Sequence, residues 1–174
     1  MQKKKTPLAI SYASAPCILG WVIVATTSQG VCAVMFGDTP EELPALVQGQ
    51  FPGATLTEGG PEFQPIIRAV IQQINHPDEK CTLPLDLRGT VFQQQVWKEL
   101  CQIKVRETVS YTDVARRIGR PKAVRAVGTA CGANRIAVLI PCHRVLGKNG
   151  KLTGYRWGME RKRQLLDAEQ YVQQ

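Results

Sequence analysis

Ser110-Tyr111-Thr112-Asp113-Val114-Ala115-Arg116-Arg117-Ile118-Gly119-Arg120-Pro121-Lys122-Ala123-Val124-Arg125-Ala126-Val127-Gly128-Thr129-Ala130-Cys131-Gly132 is the stretch on which the architecture turns. Ser110 with Asp113 three residues on is a capping signal that starts a short helix running through Ile118. Gly119-Arg120-Pro121 is a tight turn, and a further helix follows over Lys122 to Gly132. Helix, short Gly-containing turn, helix is the helix-turn-helix pattern. At about 100° per residue, Ala123, Val127 and Ala130 share the core face of the last helix, opposite Lys122, Arg125, Gly128, Thr129 and Gly132. Two glycines inside a helix cost roughly 1 kcal/mol each relative to alanine. Either close helix packing or the close approach of something bulky from outside accounts for them. Apart from Lys122 at its start and the single Arg125 that face is bald, and it lacks the set of long polar side chains that would read bases in a major groove.

Upstream, Thr90-Val91-Phe92-Gln93 is another capping box. It opens a helix whose buried stripe is Phe92, Val96 and Leu100, with Trp97 beside it. Downstream, the apolar run Ile136-Ala137-Val138-Leu139-Ile140 reads as a buried extended segment that delivers Pro141-Cys142-His143-Arg144-Val145. Cys142 is a thiol beside an imidazole, and a thiolate is a strong nucleophile whose pKa falls near a base or cation. A last helix runs from Met159 to Tyr171 with Leu165 and Leu166 inward. Glu169 falls one turn beyond Leu165 on the same face, and an inward carboxylate needs a partner. Spacing leaves two candidates open: His143, or a lysine or arginine.

The first half reads differently. Gly20 to Thr26 and Val31 to Met35 form a hairpin across Ser28-Gln29-Gly30, with Leu8 to Tyr12 as a third strand. Pro40-Glu41-Glu42 opens a helix, Phe63 to Asn75 has helical periodicity, and Thr82 to Leu87 looks extended. The fold class is therefore α/β in the broad sense (α+β). A small N-terminal α+β domain with an antiparallel sheet, residues 1–85, precedes a mainly helical C-terminal domain with the helix-turn-helix, residues 86–174.

Charge follows the same division. Residues 1–85 carry 5 Lys and Arg against 7 Asp and Glu, whereas residues 86–174 carry 17 against 7. A basic second half points to a polyanion, most simply nucleic acid. Six cysteines without C-x-x-C spacing argue against a zinc ribbon or disulfide scaffold and for reduced thiols in the cytoplasm. With His76 and His143 the only histidines, no metal site is expected. Lys3-Lys4-Lys5 followed by Cys17 to Ala25 superficially resembles a signal peptide. Prolines and the polar Ser11 to Ser14 interrupt it, the apolar run is too short to span a bilayer, and an N-terminal strand is the better reading.

Taken together, the motifs resemble the methylated-DNA–protein-cysteine methyltransferases, the O6-alkylguanine-DNA alkyltransferases. Pro141-Cys142-His143-Arg144-Val145 matches the family's acceptor signature. Thr90-x-Phe92-Gln93-x-x-Val96-Trp97, Val109-Ser110-Tyr111, Pro121 to Gly128, Asn134 and Gly154-Tyr155-Arg156-Trp157-Gly158 occur in family order and spacing. The second half is similar nearly end to end, especially to the acceptor domain of bacterial adaptive-response proteins, and the first half more loosely. The resemblance implies that Cys142 accepts an alkyl group from guanine O6, with His143 taking the thiol proton through a water and Glu169 holding His143. Asn134 corresponds to the hinge between recognition helix and acceptor segment. Tyr111 corresponds to the tyrosine that neutralises the departing base, and Arg125 to the arginine that fills the gap left by the flipped nucleotide.

Lys122, Ala126, Gly128, Thr129 and Gly132 would line a minor-groove contact with little sequence preference. Cys142 and Val145 carbonyls and the backbone of Tyr155 and Arg156 would line the base pocket. Trp157 stands where other members have a small residue and is expected to narrow that pocket, disfavouring O6-benzylguanine. The implied protein is a monomer needing no cofactor. It takes double-stranded DNA containing O6-alkylguanine, with O4-methylthymine as a further substrate, and no membrane. It acts once, because a thioether on Cys142 has no easy reverse reaction. A chain of this length leaves no room for the regulatory zinc region of adaptive-response proteins, so transcriptional activation is not expected.

Three other readings compete. A cysteine hydrolase needs an oxyanion hole, and adjacent residues in an extended segment point apart. A non-catalytic alkyltransferase-like damage-binding protein lacks the acceptor cysteine, which is present here. A plain helix-turn-helix regulator would show base-reading side chains and a dimerisation segment.

Overall fold

Two tight reversals lay out the first half of the computed structural model, which describes residues 6–171; Lys3-Lys4-Lys5 lies outside them. Strands β1 (Ala9–Cys17), β2 (Gly20–Thr27) and β3 (Gly30–Gly37) form an antiparallel meander. Gly30 adopts φ 147, and a Cβ there would collide with the Pro84 carbonyl, so glycine is needed where the later chain crosses. Helix α1 (Leu43–Gln50) follows a single 3-10 turn at Pro40–Glu42 and packs on β3 and β2. Strand β4 (Thr55–Glu58) then pairs with β1, and helix α2 (Gln64–Asn75) covers β1 and β2 with Ile67, Val70 and Ile74 buried.

One expectation needs correction here. The sheet is mixed, because β4 runs parallel to β1 in the order β3-β2-β1-β4. A four-residue edge strand with only Leu56 partly buried carries almost no periodic signal. The stretch Thr82 to Leu87, expected to be extended, forms no regular strand. It touches β3 at one point, where Val31 N donates to Pro84 O at 2.8 Å and Asp86 N donates to Val31 O at 2.8 Å.

The second half is helical. Helix α3 (Val91–Leu100) starts at the full Thr90/Gln93 capping box, and α4 (Tyr111–Arg117) at the Ser110/Asp113 box. A two-residue strand, β5 (Val109–Ser110), pairs in parallel with β6 (Val145–Leu146). Gly119 at φ 76 ends α4, with Arg120 N bonded to Ala115 O and Gly119 N to Arg116 O, the pattern that closes a helix on a left-handed residue. Helix α5 spans Val124–Gly132, two residues shorter than the sequence suggests, because Ala123 sits at φ -93 and ψ 28 in the turn. Trp97 Nε1 donates to Ala130 O at 2.9 Å and ties α3 to α5. Helix α6 (Met159–Tyr171) closes the molecule against the turn bearing Cys142.

The run Ile136 to Ile140 is curled rather than extended. Asn134 Nδ2 donates to Ile136 O at 3.3 Å and to Ile140 O at 3.0 Å. An extended chain would hold those two carbonyls about 13 Å apart, so one amide cannot reach both. The curl is completed by Val138 at φ 69 and a Leu139 N to Ala137 O bond of 2.7 Å. Only Ile136 keeps a strand-like contact, with Val34. Buried residues from both halves join in one core, and no helix among the described residues is long and apolar enough to cross a membrane.

Candidate functional site

Cys142 begins a single 3-10 turn, Cys142–Arg144, that follows the curl. The extended geometry expected for Cys142 and His143 is therefore replaced by a turn. Arg144 N bonds to Pro141 O, and Val145 N to Cys142 O. The thiol is buried at 6% exposure, and Asn134 Nδ2 donates to its sulfur at 3.3 Å. Burial pushes the Cys142 thiol up, and the Asn134 amide and the cations Lys162 and Arg156 pull it back. Asn134, expected as a hinge, thus also touches the Cys142 sulfur, while its Oδ1 accepts from Ile136 N at 2.9 Å.

His143 is 1% exposed, with Nε2 at 2.8 Å from Glu169 Oε1. An ionised carboxylate only accepts, so this contact places the ring proton on Nε2 and leaves the Nδ1 lone pair as the base. Nδ1 has no partner among the described residues. Burial holds the His143 pKa below its usual value despite Glu169, with Arg144 and Lys162 adding to the depression, so the ring is neutral near pH 7. Glu169 resolves the open choice of partner by taking both. The same Oε1 accepts from Arg144 Nε at 2.9 Å and Nη2 at 2.8 Å, and Arg144 Nη1 donates to Ile103 O at 2.7 Å. Burial pushes the Glu169 carboxyl up, but bonding to His143 and Arg144 outweighs it and holds the group below the usual range.

Lys162 is absent from the site residues expected from sequence. It is fully buried, and its Nζ donates to Val145 O at 2.8 Å, Thr153 O at 2.7 Å and Gly154 O at 3.4 Å. The signal was available: Lys162, Leu165 and Glu169 lie at helical spacing on the face that Glu169 already marked as inward. Lys162 occupies one lone pair of the Val145 carbonyl, and the second remains for another donor.

Tyr111 is half-buried at the start of α4, and Thr153 Oγ1 donates to its hydroxyl at 3.4 Å. Lys122, Arg125, Ala126, Thr129 and Gly132 are all exposed on one side of the helix-turn-helix. A Cβ on Gly132 would meet nothing within 4 Å, and one on Gly128 only the Tyr111 ring at 3.9 Å. Close packing inside the protein therefore does not require these glycines. Tyr155 packs edge-on to Trp157 at 5.3 Å, and its buried hydroxyl has no partner among the described residues. Arg156 is exposed, with Nη1 3.4 Å from Asn134 O. Trp157 is buried, edge-on to Phe36 of β3 at 6.2 Å, and lines a cavity of about 250 Å³ with Met35, Leu46 and Arg161. No three His, Cys, Asp or Glu side chains among the described residues group to hold a metal.

The scaffold and its buried group define a class: a helix-turn-helix protein with a buried cysteine followed in sequence by a buried, neutral histidine. Residues 91–171 match the family model described as the 6-O-methylguanine DNA methyltransferase, DNA binding domain. The chain is 44% identical over 147 residues to the inducible methylated-DNA–protein-cysteine methyltransferase of Bacillus subtilis, covering 84% of this chain and 82% of that one. It is 51% identical over 162 residues to the bifunctional transcriptional activator/DNA repair enzyme Ada of Escherichia coli, covering 93% of this chain but 46% of that protein, about half its length. The crystal structure of Mycobacterium tuberculosis O6-methylguanine methyltransferase superposes with a TM-score of 0.77 at 37% identity, covering 93% of each chain. The M. tuberculosis OGT structure in complex with DNA gives 0.75 at 34%, covering 94% of each. This chain belongs to the methylated-DNA–protein-cysteine methyltransferase family.

Proposed function

We propose that the protein repairs DNA by direct reversal, moving the methyl group of O6-methylguanine in duplex DNA irreversibly onto Cys142. The observation that carries this reading is the Cys142 sulfur, held by Asn134 at 3.3 Å and next in sequence to a His143 whose Nε2 is bound to Glu169 and whose Nδ1 is left free. The thiol proton passes through a water to His143 Nδ1. The sulfur then attacks the methyl carbon, the S–C bond forms as the C–O bond breaks, and the electron pair leaves on guanine O6. The Tyr111 hydroxyl neutralises the departing base. The target nucleotide has to leave the stack to reach a buried sulfur, and Arg125 fills its place.

The exposed, glycine-interrupted face of α5 supports docking in a minor groove, with Lys122, Ala126, Thr129 and Gly132 against the backbone. The chain works as a monomer in the cytoplasm, with residues 1–85 and 86–174 as its two domains. O4-methylthymine is a second substrate, and Val145, Tyr155, Arg156 and Trp157 surround the base. The test is mass spectrometry after mixing with duplex DNA containing O6-methylguanine. A single increment of about 14 Da at Cys142 is expected, since the thioether is covalent. DNA binding without any increment would refute the reading, and Cys142→Ser should bind without transfer.

A further inference from the structure

Strand β3 is the last strand on its side of the four-stranded sheet, so its outward N–H and C=O groups need partners. The second half supplies them: Val34 N donates to Arg135 O at 2.9 Å, and Ala137 N donates to Val34 O at 2.9 Å. Residue 135 is therefore fixed to the sheet by its backbone. Its side chain reaches further. Arg135 Nη1 donates to Arg88 O at 2.6 Å, Nε donates to Gln50 Oε1 at 3.2 Å, and the guanidinium lies 5.2 Å from the centre of the Phe51 ring. One residue thus touches β3, the end of α1 and the segment leading into α3. Its neighbour is Asn134, whose amide holds Ile136 O, Ile140 O and the Cys142 sulfur together.

We propose that Arg135 is a positioning residue: it clamps the acceptor loop to the first-half sheet and α1, so that the edge of β3 sets where Asn134 meets the Cys142 sulfur. A planar guanidinium suits this post because its fork satisfies two acceptors while its face covers an aromatic ring, which an ammonium cannot do. The space behind the hinge is tight, a void of about 10 Å³ bounded by Asp86, Trp97, Asn134, Arg135 and Ile140, so the hinge gains room to shift only when the Arg135 side chain is shortened. Arg135 is not among the groups that act on the thiol directly, which are Asn134, Lys162 of α6 and Arg156 before α6; it reaches the sulfur through Asn134, and its charge is also felt at Arg156. Cys131 of α5, Tyr111 of α4 and Tyr155 also face it.

The inference rests on the methyl-transfer reading. A single-use acceptor makes its test sharp, because amplitude counts folded molecules and the rate constant reports their geometry. Arg135→Met should keep one methyl per molecule but transfer it about tenfold more slowly, the effect of one weakened hydrogen bond. The pH midpoint of transfer, and of Cys142 carboxamidomethylation by iodoacetamide read by peptide mass spectrometry, should move to higher pH. Arg135→Lys should recover part of the rate, and Gln50→Leu should slow it less than Arg135→Met. An unchanged rate constant and midpoint, or a lost amplitude with the surviving molecules reacting normally, would overturn the clamp. If the unaltered protein transfers no methyl, that reading fails on its own, and the iodoacetamide midpoint still decides the role of Arg135.

Discussion

Replacing Glu169 by Gln removes one charge from a carboxylate whose single oxygen Oε1 receives three hydrogen bonds, one from His143 and two from Arg144. Glutamine keeps an acceptor of the same shape at that point, so the geometry has little reason to collapse. What changes is the strength of the contacts. Bonds to a charged group contribute about 1.5–3 kcal/mol against about 1 kcal/mol for neutral ones, so the two Arg144 bonds lose roughly 1 kcal/mol each. The Arg144 guanidinium is 8% exposed and keeps its bond to Ile103 O, which limits the remaining cost of an unpaired buried cation. The expected destabilisation is about 2–4 kcal/mol. Loss of the carboxylate also removes what raises the His143 pKa, so the base weakens and the transfer rate falls by roughly tenfold or more. Urea unfolding gives the first number and single-turnover transfer on O6-methylguanine duplex the second. A destabilisation under about 1 kcal/mol with an unaltered rate would refute the idea that Glu169 anchors both neighbours.

Further outcomes follow from the same geometry. His143 and Glu169 both have pKa values below their usual 6.5 and 4.5, so the unfolded chain binds protons first as pH falls. Their stabilisation is full above pH 6.5 and drops below it, so the urea midpoint should decline from pH 7 to pH 5; a flat profile would contradict the buried neutral ring. Val138 is a β-branched residue at φ 69, a conformation costing about 1–2 kcal/mol that glycine escapes. Val138→Gly should therefore be at least as stable as Val138→Ala in urea, the reverse of the usual order. Arg125→Ala should change stability by less than about 0.5 kcal/mol because the side chain is exposed. The same variant should slow transfer from duplex DNA roughly tenfold or more while leaving transfer from the free O6-methylguanine base unaltered, since only the duplex requires a flipped nucleotide. Trp157→Gly should admit O6-benzylguanine while costing about 3 kcal/mol or more, because the indole is buried against Phe36.

Local chemistry made much of this molecule legible. Both capping boxes, the turn at Gly119 and the span of α6 are written in residues next to one another, and short-range bonds realise them. Glu169 was readable as inward because its helical neighbours are leucines. Lys162 lies on the same face and was passed over, because a lysine is so seldom fully buried. The curl at Ile136 to Ile140 is hidden in the sequence for a different reason. Five apolar residues satisfy the pattern of a strand, and only the long reach of the Asn134 amide, eight residues before Cys142, folds them back. Strand β4 and the clamp at Arg135 share that difficulty. Their partners lie far away in sequence, at β1, Gln50 and Arg88, and no periodicity encodes such pairings.

The edge of β3 also bears on how the chain survives its own synthesis. Phe36, Met35, Val34, Ala33, Cys32 and Val31 make that strand apolar throughout, and among the described residues the backbone bonds on its free side come from residues 84–86 and 135–137. Until those later segments arrive, the strand is an adhesive template for any other extended chain. The loop that leads to Cys142 therefore also guards against aggregation. Truncations that remove it should yield insoluble protein even where the first-half sheet is complete.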